Sequence, residues 1–152
     1  FRRVLFRSLK KQYDIECNIA QTLNLIGDKW TLLILHAIQS GYTTYKELQE
    51  NLPGIPTNLL SNRLKTLCED DLLKCELYSQ HPPRYQYSLT DKSKDLDDIY
   101  NALIIWGDRH LSRSYKCLKH KDCDGQIQIV YVCQKCGKQL TKDELIVHNH
   151  SN

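Results

Sequence analysis

Apolar residues recur at helical spacing through most of the first two thirds of the chain. Cys17 to Ile26 carries Ile19, Leu23 and Ile26 on one side and stops at Gly27. Asp28 is placed to cap a second helix, Lys29 to Gln39, whose apolar side is Trp30, Leu33, Ile34 and Ala37, with Ser40-Gly41 ending it. Thr44 caps a third helix running to about Asn51, with Tyr45 and Leu48 facing inward. Leu52-Pro53-Gly54-Ile55-Pro56 breaks the pattern, since each proline biases the residue before it away from the helix. Thr57 to Glu69 restores it, with Leu60, Leu64 and Leu67 on one face, Leu59 beside them, and Asn58, Ser61, Asn62 and Lys65 opposite.

The period then changes. Leu72 to Leu77 predicts a strand, Ser79 to Pro83 a turn, and Arg84 to Leu89 a return strand in which Tyr85, Tyr87 and Leu89 alternate. Asp95 to Leu111 predicts a longer amphipathic helix carrying Leu96, Ile99, Tyr100, Leu103 and Trp106. Two helices around a Gly/Pro turn, the second polar on its outer face, followed directly by a hairpin, predict a mainly α fold: a winged helix-turn-helix.

Composition narrows the class. With 152 residues, 41% hydrophobic and 26% charged, the chain is an ordinary globular one, so disorder and low-complexity classes are excluded. The longest apolar stretch, Trp30 to Ile38, is interrupted by His36 and is too short to cross a bilayer. No signal-peptide pattern is present, and a cytoplasmic location with no membrane partner is expected. The sequence has no Met, and residues 1–12, which hold Arg2, Arg3, Arg7, Lys10 and Lys11 without an acid, are expected to be a processing or assembly remnant outside the fold. The main domain is expected over 13–112, a small module over 113–147, and a polar tail over 148–152.

Charge alone does not point to nucleic acid. The formal net charge is +3, but residues 13–112 hold nine basic and fourteen acidic groups. Any DNA contact must therefore come from local placement.

The segment from Cys17 to Leu111 resembles the HxlR-type branch of winged helix-turn-helix transcription regulators. The landmarks are Cys17, Leu25-Ile26-Gly27-Asp28-Lys29-Trp30-Thr31-Leu32-Leu33-Ile34-Leu35, Leu52-Pro53-Gly54-Ile55, and Leu59-Leu60-Ser61-Asn62-Arg63-Leu64-Lys65-Thr66-Leu67. Pro82-Pro83-Arg84-Tyr85-Gln86-Tyr87-Ser88-Leu89-Thr90 and Trp106-Gly107 complete the match. Asp71 and Ser93 depart from it, each standing where the family customarily has glycine. The resemblance implies a homodimer joined through the N-terminal helix and Asp95–Leu111, with two recognition helices in major grooves about 34 Å apart on a double-stranded operator. Thr57, Asn58, Ser61 and Asn62 then suit base edges, Arg63 and Lys65 phosphate (Arg63 equally guanine), and Arg84 in the wing the minor groove or its phosphates.

Seven cysteines in a chain without a secretion signal argue against a disulfide framework. Cys68 and Cys75 read as small apolar or partly exposed residues without special chemistry. Cys17 lies at a helix start, where thiolate is stabilised, and the resemblance implies a redox or electrophile sensor there. Beyond Ser114 the composition shifts. His120-x-x-Cys123 and Cys133-x-x-Cys136-Gly137 flank a strand-like Gln126 to Val132, which predicts a zinc-ribbon-like β module holding one structural Zn2+. The preferred ligands are His120, Cys123, Cys133 and Cys136, with Cys117 as the alternative first-pair ligand.

No Ser/His/Asp order, paired carboxylates or phosphate loop suggests an enzyme. A DNA-binding regulator, with a small-molecule or electrophile effector, is the leading reading. A zinc-dependent protein adaptor, favoured by the acidic balance of 13–112, and a C-x-x-C redox protein are the alternatives.

Overall fold

The structure, a computed structural model, describes residues 12–148. All but the last residue of the expected N-terminal remnant, and most of the polar tail, therefore lie outside the described residues. The chain divides into two compact units, one reaching to Asp95 and the other starting at Leu96. The division falls before the long helix, whereas the sequence reading placed it after that helix.

In the first unit, α1 (Asn18–Ile26) begins at Cys17 and buries only Ala20 and Ile26. Ile19 and Leu23, predicted to face inward, are exposed. The segment before α1 folds back on it: Asn24 accepts from the Tyr13 amide at 2.8 Å, and Gln21 donates to the Ile15 carbonyl at 2.8 Å. Helix α2 (Thr31–Gln39) starts two residues later than its sequence predicted. Asp28 still supplies the cap, accepting from the Trp30 and Thr31 amides at 3.0 and 3.2 Å and from the Thr31 hydroxyl. Ile34, Leu35, Ala37 and Ile38 of α2 enter the core, but Leu33 is exposed. Gly41, at φ +99°, ends the helix in a left-handed turn that a side chain would strain.

Helix α3 (Tyr45–Asn51) opens with a capping box in which Thr44 and Glu47 satisfy each other's backbone amides. A turn through Gly54, at φ +88°, leads to α4 (Thr57–Glu69). Leu48, Leu60, Leu64 and Leu67 are all but fully buried, so α3 and α4 share one apolar centre with α2.

Strands β1 (Leu73–Gln80) and β2 (Pro83–Leu89) form the antiparallel hairpin. Strand β1 starts one residue later than predicted and runs three residues further, leaving His81-Pro82 as the tip. The register slips between Leu77 and Ser79, leaving Tyr78 unpaired. A short third strand edge joins the hairpin to the start of α3: the Tyr87 amide donates to the Thr43 carbonyl at 2.8 Å, and Gln86 Nε2 to Thr43 Oγ1 at 3.2 Å. The unit closes with the one-turn α5 (Asp91–Lys94), capped by Thr90. Ser93, one of the departures from glycine, is buried with its hydroxyl satisfied by the Thr90 carbonyl at 3.1 Å.

The second unit begins with α6 (Asp97–His110), shorter than the single Asp95–Leu111 helix read from the sequence because the chain turns between α5 and α6. No residue of α6 is buried. The rest is irregular except for the two-residue pair β3 (Tyr131–Val132) and β4 (Gln139–Leu140) and a 3-10 turn, Lys142–Glu144. Among the described residues, no helix is long and apolar enough to cross a membrane.

Candidate nucleic-acid interface

Helix α4 is held from behind and open in front. Its inner leucines lock it to α2 and α3, and the Tyr45 hydroxyl donates to the Thr57 carbonyl at 3.0 Å, tying its first turn to α3 across the Gly/Pro turn. Thr57, Asn58, Ser61, Asn62 and Lys65 are exposed and follow one another at helical spacing, so five of the predicted contact residues form one outward stripe. Their hydroxyl and amide groups combine donors and acceptors, as base-edge reading requires. Lys65 pairs only loosely with Glu69, at 3.9 Å between two well-exposed side chains, and is free to turn outward.

Arg63 does not share this stripe. Its side chain is 17% exposed and turns inward, with Nε 3.3 Å from Asp28 Oδ1. The approach is an ion pair without a directed N–H hydrogen bond, which leaves the Nε hydrogen unsatisfied. Asp28 thus binds the start of α2 and the middle of α4 at once. A base- or phosphate-contacting role for Arg63 would require breaking that pair, which links the middle of α4 to the residue that caps α2. Sequence reading missed the pair because the two residues are far apart along the chain and Arg63 stands among polar neighbours.

The hairpin stands beside α4. Arg84 is exposed and lies opposite Ser79, just inside the tip, where the Ser79 hydroxyl donates to the Pro82 carbonyl at 3.1 Å. Arg84 is therefore presented by a paired strand rather than by the loop, and the Thr43 bonds anchor that strand to α3. The attachment of wing to helix-turn-helix was not read from the sequence, since nothing in the spacing of Thr43 and Gln86 announces it.

Cys17 is exposed at the N-cap of α1. In the second unit, His120 Nδ1 lies 3.1 Å from Cys123 Sγ. The amides of Cys136 and Lys135 and the Cys136 thiol hydrogen-bond Cys133 and hold its thiol below the usual range. Each pair is thus made by its own tight turn, the first closed by His120 N–H to Gly125 O at 2.8 Å, the second by Gly137 N–H to Cys133 O at 2.8 Å. Among the described residues no group of three or more His, Cys, Asp or Glu side chains stands close enough together to hold an ion, so the two pairs are each described by themselves. Cys117 is likewise exposed and joins neither pair.

Comparison with known proteins agrees with this geometry. Residues 25–115 match the family model of the HxlR-like helix-turn-helix. The HTH-type transcriptional regulator Mb3122 of Mycobacterium bovis is 35% identical over 127 residues, 82% of this chain and 80% of its own. The crystal structure of PA1607, a candidate transcription factor, superposes with a TM-score of 0.73 at 26% identity, covering 93% of this chain and 100% of that one. The reduced form of the transcriptional regulator YodB from Bacillus subtilis gives a TM-score of 0.54 at 27% identity, over 63% of this chain and 95% of its own. With its helix-turn-helix, its wing and these relatives, the chain belongs to the HxlR-like helix-turn-helix family of transcriptional regulators.

Proposed function

We propose that the protein is a homodimeric, sequence-specific DNA-binding regulator without enzymatic activity. It lays α4 in the major groove and the hairpin tip beside it. The observation that carries this reading is the outward stripe Thr57, Asn58, Ser61, Asn62 and Lys65, on a helix whose opposite face is fully engaged in the core. Thr57, Asn58, Ser61 and Asn62 read base edges, Lys65 and Arg84 neutralise phosphate, and Arg63 sets the angle of the helix through Asp28. The acidic balance of the domain does not oppose this, because local basic groups rather than net charge meet phosphate, and Lys65 and Arg84 are both exposed.

Cys17 is the proposed oxidant- or electrophile-responsive position. It is exposed at a helix start, and YodB, a relative in fold, has been crystallised both reduced and after diamide treatment. Alkylation of Cys17 is expected to change operator affinity, and the C17S variant to remove that response.

The decisive experiment is fluorescence anisotropy of the reduced protein against duplex DNA from upstream of its own gene, with a scrambled duplex beside it at two salt concentrations. Tighter binding to the native duplex, two chains per site and a steep salt dependence are expected. Equal binding to both duplexes would remove the sequence-reading role of the stripe. No binding to either, with capture of a protein partner instead, would replace the reading by the adaptor one.

A further inference from the structure

Two thiols that the sequence reading left without chemistry meet between α4 and β1. Cys68 lies in the last turn of α4. That helix ends in a reversal in which the Leu72 amide donates to the Leu67 carbonyl at 2.8 Å and the Asp71 amide to the Cys68 carbonyl at 3.3 Å, with Asp71 left-handed at φ +57°. The reversal packs β1 against α4 and sets Cys75, third residue of the strand, beside Cys68, near enough for its thiol to act on that of Cys68. Cys75 pairs across the hairpin with Tyr87, one of the residues bonded to Thr43, so the contact sits where the recognition helix, the wing and the start of α3 join.

The two thiols differ in surroundings. Cys75 is exposed and Cys68 half-buried. Burial first, then the neighbouring Cys75 and Glu69, push the Cys68 thiol up to about 11, which keeps it protonated at neutral pH. The exposed member meets a dissolved oxidant first and the shielded member stands directly behind it. Attacked thiol and resolving thiol are thereby distinguished by position.

We propose that Cys68 and Cys75 form a reversible dithiol–disulfide pair, oxidised by peroxides, that ties the end of the recognition helix to the wing. The Cys75 sulfur attacks a peroxide oxygen and breaks the O–O bond, giving a Cys75 sulfenic acid and, with hydrogen peroxide, one water. The Cys68 sulfur then attacks the Cys75 sulfur, the S–O bond breaks, and the Cys68 proton leaves with the hydroxyl as a second water. Two thiols have lost two electrons and two hydrogens, and the peroxide has been reduced to two waters. A dithiol reductant reverses the bond. The pair is independent of Cys17 and of the C-terminal cysteines, and its chemistry does not require that the protein bind DNA.

The test uses the full chain. Reduced protein is treated with hydrogen peroxide, free thiols are blocked with iodoacetamide, and the protein is digested with trypsin without reduction. Cleavage after Lys65, Lys74 and Arg84 separates Cys68, in peptide 66–74, from Cys75, in peptide 75–84. The expected product is these two peptides joined, two hydrogens lighter than their sum, abolished by dithiothreitol and absent in C75S and in C68S. Because C75S alters an exposed side chain, it keeps the test valid if C68S does not fold. Cys75 found as sulfinic acid while Cys68 remains alkylated would overturn the proposal. So would Cys75 joined mainly to any other cysteine peptide. Loss of DNA binding in the untreated protein would instead count against the proposed function and leave this result untouched.

Discussion

A single backbone angle carries the first prediction. Asp71 ends α4 at φ +57°, in the left-handed region that costs an ordinary L-residue about 1–2 kcal/mol and glycine nothing. The sequence showed only that Asp stands where the family customarily has glycine. The structure supplies the reason glycine is favoured there. D71G is expected to stabilise the protein by about 0.5–1 kcal/mol, the relief of strain exceeding the added entropy of the unfolded chain. Urea unfolding should show a higher midpoint with an unchanged slope. Glu47 gives a prediction with a pH sign. Its carboxylate accepts from the Thr44 and Thr43 amides at 2.8 and 2.9 Å and from the Thr44 hydroxyl, and the Thr44 amide above all holds it below the usual carboxylate range. A carboxyl lowered in the folded state stabilises the fold above its unfolded value near 4.5, and that contribution disappears as the pH falls through the lower, folded value. In E47Q the decline of thermal midpoint between neutral pH and pH 3 should be shallower than in the parent.

At the scale of elements, the Arg63–Asp28 pair helps to fix α4, the proposed reading helix, since the same carboxylate caps α2 and holds α4. R63A leaves Asp28 with its capping bonds but without its cation. A loss of about 2 kcal/mol is expected, between the values for exposed and fully buried pairs, together with weaker operator binding whose salt slope is unchanged. R84A is expected to do the opposite: stability unchanged, operator binding weaker, and the salt slope smaller by about one. Anisotropy titrations over a salt series, run beside urea unfolding, separate the two. A shrunken slope in R63A would return Arg63 to the phosphate contacts. These elements were unequally legible. Leu60, Leu64 and Leu67 announced α4, because a core contact on every turn leaves a periodic trace, whereas α2 was announced by Ile34 and Ala37 and α3 by its Thr44 cap and Leu48. Strand β1 was read three residues short at its far end, since that end is exposed on both faces and polar at Ser79 and Gln80, so no alternation marks it. The one-turn α5 was missed because it carries no apolar periodicity and is made by the Thr90 cap, and the long helix was read two residues early because Leu96 continues its helical spacing. Arg63, Thr43 and the Cys68–Cys75 contact depend on partners brought near by folding, and neither composition nor period encodes those.

At the scale of the whole molecule, the apolar surface a protomer leaves uncovered matters most. Helix α6 has no buried residue, and Ile99, Leu103 and Trp106, which share a helical face, are 37%, 51% and 58% exposed. Ile19 and Leu23 of α1 are uncovered in the same way. Helices are rarely stable in water without an apolar face packed against something, and an amphipathic helix of fourteen residues is too short to stand on propensity alone. The same two segments are those the family resemblance assigned to the dimer contact, so a second copy is the occupant that the proposed function requires. L103E places a charge at the middle of that exposed face. The variant is expected to run as a monomer in size-exclusion chromatography with light scattering, with the far-UV circular dichroism of the parent. Because a dimer engages both half-sites at once, operator affinity should fall by about 100-fold or more, while binding to a single half-site stays unchanged. A dimeric L103E with full operator affinity would move the interface off α6. A monomeric L103E with full operator affinity would show that one protomer suffices to read the site, and the homodimer would have to leave the proposed mechanism.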